Sequence, residues 1–386
     1  MKAEYALLLA LVRNQMDGTA FSVPEHLDWD AFAKAVHNHR LEPFAYMALD
    51  GMTIPPELTN QLFAAYHKAV FRDAQFDYVY TQLQQLLRQH RIAHVFMRGI
   101  CMKAHYPMSC LRTMADMDIL VHARDLPRIR KAMGYTDAQE CHGDGNHRTY
   151  AFAQGVTVEF HPMLLHSSSP VGTGVNPGWQ YVPQQEDFSQ EMSPEGFYLN
   201  IFCHFANHFF GGGAGIRFIL DIWICRHLRC ENMDRAFVEQ ELDRVGLVHF
   251  ARKIEQLADV WFSGAPMVPE LEALADYICT SGLHGRSDRA QLNAICFSRR
   301  GTGFSALLGK AFYPKGDLEN RFDWVIGRPW LLPAAWIARA WLALTQRRHL
   351  IDYWREGRKQ YSPQQIRQQQ QLLSDFGLKQ IGRTSR

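Results

Sequence analysis

Two segments, His94-Val-Phe-Met-Arg98-Gly99-Ile100 and, a short way on, Leu111-Arg112-Thr-Met-Ala-Asp116-Met-Asp118-Ile-Leu-Val121, decide how this chain folds. Asp116 and Asp118 stand two apart beside the apolar run Ile119-Leu120-Val121. That run reads as a strand, in which side chains alternate between faces. Both carboxylates then leave the same face, about 7 Å apart at a rise of about 3.4 Å per residue. Carboxylates that close repel one another unless a cation lies between them. Mg²⁺ suits such a place, because it takes hard oxygen ligands and bridges protein carboxylates to phosphates. A third acid on a neighbouring strand would complete a two-metal cradle. Glu159 is the best candidate: Val156, Val158 and Phe160 share one face of its segment, and Thr157, Glu159 and His161 the other. A solvated strand end is the competing reading of an Asp-x-Asp triplet. The strand–Gly–helix unit before it and the alternating strand after it favour the metal.

Residues 94–165 resemble the nucleotidyltransferase superfamily, and more closely an uncharacterised bacterial branch of it. The resemblance rests on Arg98-Gly99, on Tyr106-Pro107, on Arg112 spaced ahead of Asp116-x-Asp118-Ile119, and on Val158-Glu159-Phe160-His161. Arg98 stands where the branch has Lys, and the Gly-Ser of better-known members is missing. The resemblance implies a nucleoside triphosphate donor, most simply ATP, and two Mg²⁺ held by Asp116, Asp118 and Glu159, with Glu159 also able to take the acceptor's proton. Arg98, Gly99, Lys103 and Arg112 would contact the nucleotide. A small molecule, a sugar, a protein hydroxyl or a tRNA end could each be the acceptor.

The implied fold is α+β: a small mixed sheet over residues 91–170, flanked by a helical region over 1–90 and a helical domain over 186–386. Composition agrees. The chain has 386 residues, 47% of them hydrophobic, enough for a sizeable core. A net charge of +2 is too near neutral to indicate a nucleic-acid surface by itself. The eight cysteines show no Cys-x-x-Cys spacing, so zinc ribbons and redox motifs are not supported, and reduced cysteines in a cytoplasmic protein are expected. Glu4 in the first apolar run argues for a helix rather than a signal peptide. The run from Trp324 to Leu344 contains two arginines and two prolines and falls short of a membrane span.

Other segments read as follows. Asp28 caps a helix through Phe32 and Val36, and a long helix covers Glu57 to Arg91. The histidines and glutamines of residues 1–88 read as a solvated face. A helix opening at Ile100 and reaching Tyr106 would offer its N-terminus to phosphate. For Arg112, a structural ion pair with Asp116 is as reasonable as phosphate binding. Residues 136–150 read as an antiparallel strand pair turning at 143–146, with His142 and His147 as loop histidines. Residues 162–185 read as a long loop, a substrate cover or a plain linker. Ser193-Pro194-Glu195 opens a helix bearing His204 and His208 on one face, followed by Arg217 and Asp221. That set either points at the nucleotide or holds the helix against the core, with the structural role favoured. Gly211-Gly212-Gly213-Ala214-Gly215 lacks the Gly-Lys-Ser/Thr ending of a phosphate loop and reads as a helix stop. Two rival functions remain in view: a catalytically weak nucleotide- or partner-binding scaffold, and an interfacial protein using Trp330, Trp336 and Trp341.

Overall fold

Alternation along the central strands decides which layer lies on each side of the sheet. The computed structural model describes residues 1–141, 147–165, 169, 172–184, 186–283, 285–297, 318–319, 321–346 and 361–378. His142 and the expected turn at 143–146 lie outside them. Four helices come first: α1 (Ala3–Asp17), α2 (Trp29–His39), α3 (Glu42–Leu49) and α4 (Pro56–Gln89). Then follow β1 (His94–Phe96), the one-turn α5 (Gly99–Met102), β2 (Asp116–Val121), α6 (Leu126–Met133), β3 (Gln139–Cys141), β4 (Arg148–Ala151), β5 (Thr157–His161), α7 (Gly172–Val175) and β6 (Ser189–Gln190). Helices complete the chain: α8 (Pro194–Phe210), α9 (Ile216–Ile224), α10 (Arg235–Arg244), α11 (Val248–Phe262), α12 (Pro269–Cys279), α13 (Ser287–Phe297), α14 (Leu332–Gln346) and α15 (Pro363–Asp375).

The six strands form one mixed sheet in the order β3-β4-β5-β2-β1-β6. β2 runs parallel to β5 and antiparallel to β1. Met117, Ile119 and Val121 of β2, with Val158 and Phe160 of β5, are fully buried on one face. They pack with Phe76, Val79, Leu83 and Leu87 of α4 and with Ile129 and Ala132 of α6. Area lost to water by these side chains is worth roughly 1.5–3 kcal/mol each, which makes this face hard to re-register. The other face turns toward α8 and α9. Leu120 and Met97 join a second, larger core there, which draws on Leu8 and Phe44 from the first helices and on Phe205, Ile254 and Phe376 from the last. The mixed α+β architecture expected from the sequence is therefore the one observed, and the largest core is shared between the N-terminal helices, the sheet and the C-terminal helices.

Capping follows the sequence. Asp28 accepts the Ala31 N–H at 2.9 Å, and Ser193 accepts the Gly196 N–H at 3.1 Å, with Pro194 in the first turn of α8. Two expectations need correcting. The helix expected over 100–106 is a single α-turn, after which residues 103–105 tighten to 3-10 geometry. Pro107 explains the stop: it drives Tyr106 out of the helical region, to φ −85° and ψ 153°. A four-residue helix has almost no dipole to offer a phosphate. The second correction is His39, which is fully buried rather than solvated. Its Nε2 donates to the Cys279 carbonyl at 2.9 Å and its Nδ1 accepts the Ile216 N–H at 3.0 Å, so this neutral imidazole ties α2 to α9 and α12. Among the described residues, no helix is long and apolar enough to cross a membrane. Trp330 and Trp341 are largely exposed, while Trp336 packs against a small cluster of Leu318, Val325 and Ala335.

Candidate active site

The parallel register of β2 and β5 sets Asp116 opposite Thr157, Asp118 opposite Glu159 and Leu120 opposite His161. With side chains alternating, Asp116, Asp118, Glu159 and His161 come to the face that looks toward α8 and α9. All four line one cavity of about 440 Å³, whose other walls include Arg98, Gly99, Arg112 and His147 and, from the helices, His204, Asn207, His208 and Arg217. Three acids from two strands thus meet on one cavity wall, as the sequence suggested.

Electrostatics separate these acids. Asp118 is buried and its Oδ1 accepts two hydrogen bonds, from Arg98 Nη1 at 2.6 Å and from His161 Nε2 at 2.8 Å. Burial alone would raise its carboxyl, but the guanidinium and the imidazole outweigh it and hold Asp118 well below the usual range. Glu159 behaves alike: burial opposes ionisation, yet hydrogen bonds from His147 (3.1 Å) and His161 (3.3 Å) bring it down to about 2. Arg98 and His161 also favour the ionised form of Asp116, but not enough. Burial, then the charges of Asp118 and Glu159, push its carboxyl up to about 6. The cations around Asp116, Arg98 and His161 first, therefore do not offset burial and the two neighbouring acids, which is the condition a divalent cation relieves. The donor set of three carboxylates fits an oxygen-loving ion.

The cations sort differently from the sequence reading. Arg98 does line the cavity, but its guanidinium is committed to Asp118 and to the Leu164 carbonyl, the latter at 2.9 Å. Its backbone sits at φ 54° and ψ −123°, a conformation that costs a non-glycine residue about 1–3 kcal/mol. Its two polar anchors hold it there. Gly99 follows, and a Cβ at that position would come 2.8 Å from Met114 Sδ, so the missing side chain keeps the backbone close to the cavity wall. Arg112 forms a two-pronged ion pair with Asp221 of α9, at 2.8 and 2.7 Å, and Tyr106 Oη donates to the same carboxylate at 2.7 Å. The alternative structural role for Arg112 thus has Asp221, not Asp116, as its partner. Lys103 is not brought to this cavity. It lies against α4, where Asp73 and Asp77 take its ammonium, the latter at 2.7 Å.

Three further cavity residues carried little weight in the sequence. His147 sits in β4's approach, against Glu159 rather than in a solvated loop. His204 is kept neutral by burial and by Arg98. Arg217 donates to the Thr113 carbonyl and hydroxyl at 2.8 and 2.6 Å and makes no ion pair among the described residues. Burial and the neighbouring Arg112 bring its guanidinium down to about 9. Asp221 and Asp116 offset this only in part, so the buried guanidinium faces the cavity with charge that an incoming anion would satisfy. The signal for Arg217 and Asp221 in the sequence was their place after the His204 and His208 pair, a pattern the resembling branch shares.

A family model described as an uncharacterised nucleotidyltransferase matches residues 25–263. That is more than half of the chain, and the chain belongs to this family. No curated protein and no solved structure matches.

Proposed function

We propose that this family member moves a nucleoside monophosphate from a nucleoside triphosphate, most simply ATP, to a hydroxyl or amine acceptor, using divalent ions held by Asp116, Asp118 and Glu159. The observation that carries the reading is the pairing of Asp118 with Glu159 on adjacent parallel strands, beside Asp116 and on one cavity wall. Mg²⁺ bound by those acids would supply charge neutralisation for an in-line displacement at the α-phosphorus.

The chain's own groups orient and hold. Arg98 fixes the Asp118 carboxylate, and the strain in its backbone is consistent with a pre-organised position. Arg217, buried and without an ion-pair partner among the described residues, meets phosphate charge. Arg112 and Asp221 lock α9 onto the segment before β2, and so position Arg217 one turn earlier on the same helix. Glu159, ionised down to about pH 2, serves better as a ligand than as a proton acceptor. A nucleotide-binding scaffold without turnover is the second reading, and one observation favours it: Arg98 and His161 already occupy Asp118 Oδ1.

ATP labelled at the α-phosphate, incubated with Mg²⁺ and a panel of hydroxyl and amine acceptors, separates the readings. Transfer of label with release of pyrophosphate, lost in Asp118→Ala, is expected. Binding of ATP without transfer to any acceptor supports the scaffold, and no binding with no effect of Asp118→Ala refutes both.

A further inference from the structure

The imidazoles beside Glu159 do more than the acids require. His147, just before β4, and His161, at the end of β5, reach the two oxygens of the same carboxylate, their rings 5.0 Å apart. One donor atom from each of His147, Glu159 and His161 lies within 4.8 Å of the other two. His147 Nε2 stands 3.1 Å from Glu159 Oε1, and His161 Nε2 stands 3.3 Å from Glu159 Oε2. Ligands on one ion with bonds of about 2.0–2.2 Å are separated by about 2.8–3.1 Å along an octahedral edge and about 3.3–3.6 Å along a tetrahedral one. Each imidazole nitrogen lies at such a separation from a different Glu159 oxygen, so a carboxylate that chelates through both oxygens serves both edges. The three side chains are largely buried, each less than a fifth exposed.

We propose that His147, Glu159 and His161 form a binding site for a first-row transition-metal ion of the zinc class, distinct in chemistry from an all-oxygen magnesium site. Two imidazoles and one carboxylate are a donor set that zinc, cobalt and iron take readily and that Mg²⁺, which demands oxygen, does not. The cavity leaves room for the remaining ligands, water or a phosphate oxygen. This deepens the transferase reading and rests on it for the ion's role: one of the two ion positions carries a nitrogen-ligated metal, with Glu159 as its acid. Ion binding itself is independent of that reading.

Zn²⁺ and Co²⁺ are titrated separately into metal-free full-length protein by calorimetry, without nucleotide, with Mg²⁺ in excess as competitor. The Co²⁺ complex is also read by its visible absorption. One ion per chain is expected, with a cobalt spectrum showing nitrogen ligation, no displacement by millimolar Mg²⁺, and affinity lower by about a hundredfold in His147→Gln. Asp116→Asn should retain the ion. His161→Gln touches Asp118 and risks the local fold, so His147→Gln, checked by its melting temperature, is the deciding variant. Absence of micromolar binding, equal binding by His147→Gln, or ready displacement by Mg²⁺ would overturn the proposal. Zn²⁺ binding with no ATP binding would leave this site standing and remove the transferase reading, and the converse result would do the reverse.

Discussion

Replacing Asp116 with Asn should stabilise the metal-free protein while abolishing its response to Mg²⁺. In the folded chain the Asp116 carboxyl is raised from the ordinary 3.8 to about 6, by burial first and by Asp118 and Glu159 next. At about 1.4 kcal/mol per pH unit, keeping that group ionised at pH 7.5 costs the native state at most about 3 kcal/mol. The sign follows from proton binding. Between pH 3.8 and about 6 the native state holds the proton more tightly than the unfolded chain, so this group's contribution worsens as pH rises through that window and stays unfavourable above it. Asn removes the penalty. For 386 residues, an unfolding entropy of about 2.1 cal/mol/K per residue converts 3 kcal/mol into a melting temperature about 4 °C higher. The assay is thermal unfolding in chelator at pH 7.5 and at pH 4, where the advantage should vanish because wild-type Asp116 is protonated there. His39 works in the opposite direction over nearly the same window. Burial lowers it from 6.5 to about 4, so its contribution is lost as pH falls through that range. The two largely offset each other in the wild type, and Asp116→Asn should expose the acid sensitivity due to His39. Millimolar Mg²⁺ should raise the wild-type melting temperature and leave the variant unmoved. A variant no more stable than wild type in chelator at pH 7.5, or equally stabilised at both pH values, would refute the reasoning.

Other outcomes follow from the same contacts. Asp221→Ala strips the buried Arg112 of its two-pronged partner and Tyr106 of its acceptor, and should cost about 3–5 kcal/mol in urea unfolding. Arg217→Gln should weaken ATP binding at least about tenfold in calorimetry while raising the urea midpoint of the free protein, since burial and Arg112 disfavour the wild-type guanidinium's charge in the folded state. Lys103→Met should do the reverse, lowering stability by leaving Asp73 and Asp77 without their ammonium while ATP affinity holds within about twofold.

The face carrying the acids was legible because strand alternation is strict: once Ile119 and Val121, or Val158 and Phe160, are assigned inward, Asp118 and Glu159 have nowhere else to point. Helix starts with a capping side chain, such as Asp28 and Ser193, were legible for the same local reason. Cation partners were not. Lys103 looks like a phosphate ligand four residues after Gly99, yet Asp73 and Asp77 on a helix some thirty residues upstream claim it. His147 and His39 read as ordinary polar residues, because what surrounds them comes from distant parts of the chain, Glu159 in one case and Cys279 with Ile216 in the other. Long-range pairing decides the role of such side chains, and no period in the sequence encodes it.

Crystals of the protein grown with Mn²⁺ and a non-hydrolysable ATP analogue, recorded at the manganese absorption edge, test the central claim most directly. Anomalous density is expected within coordination distance of Asp116, Asp118 and Glu159, with the triphosphate against Arg217. Manganese bound elsewhere, or the analogue seated away from those three carboxylates, would contradict it.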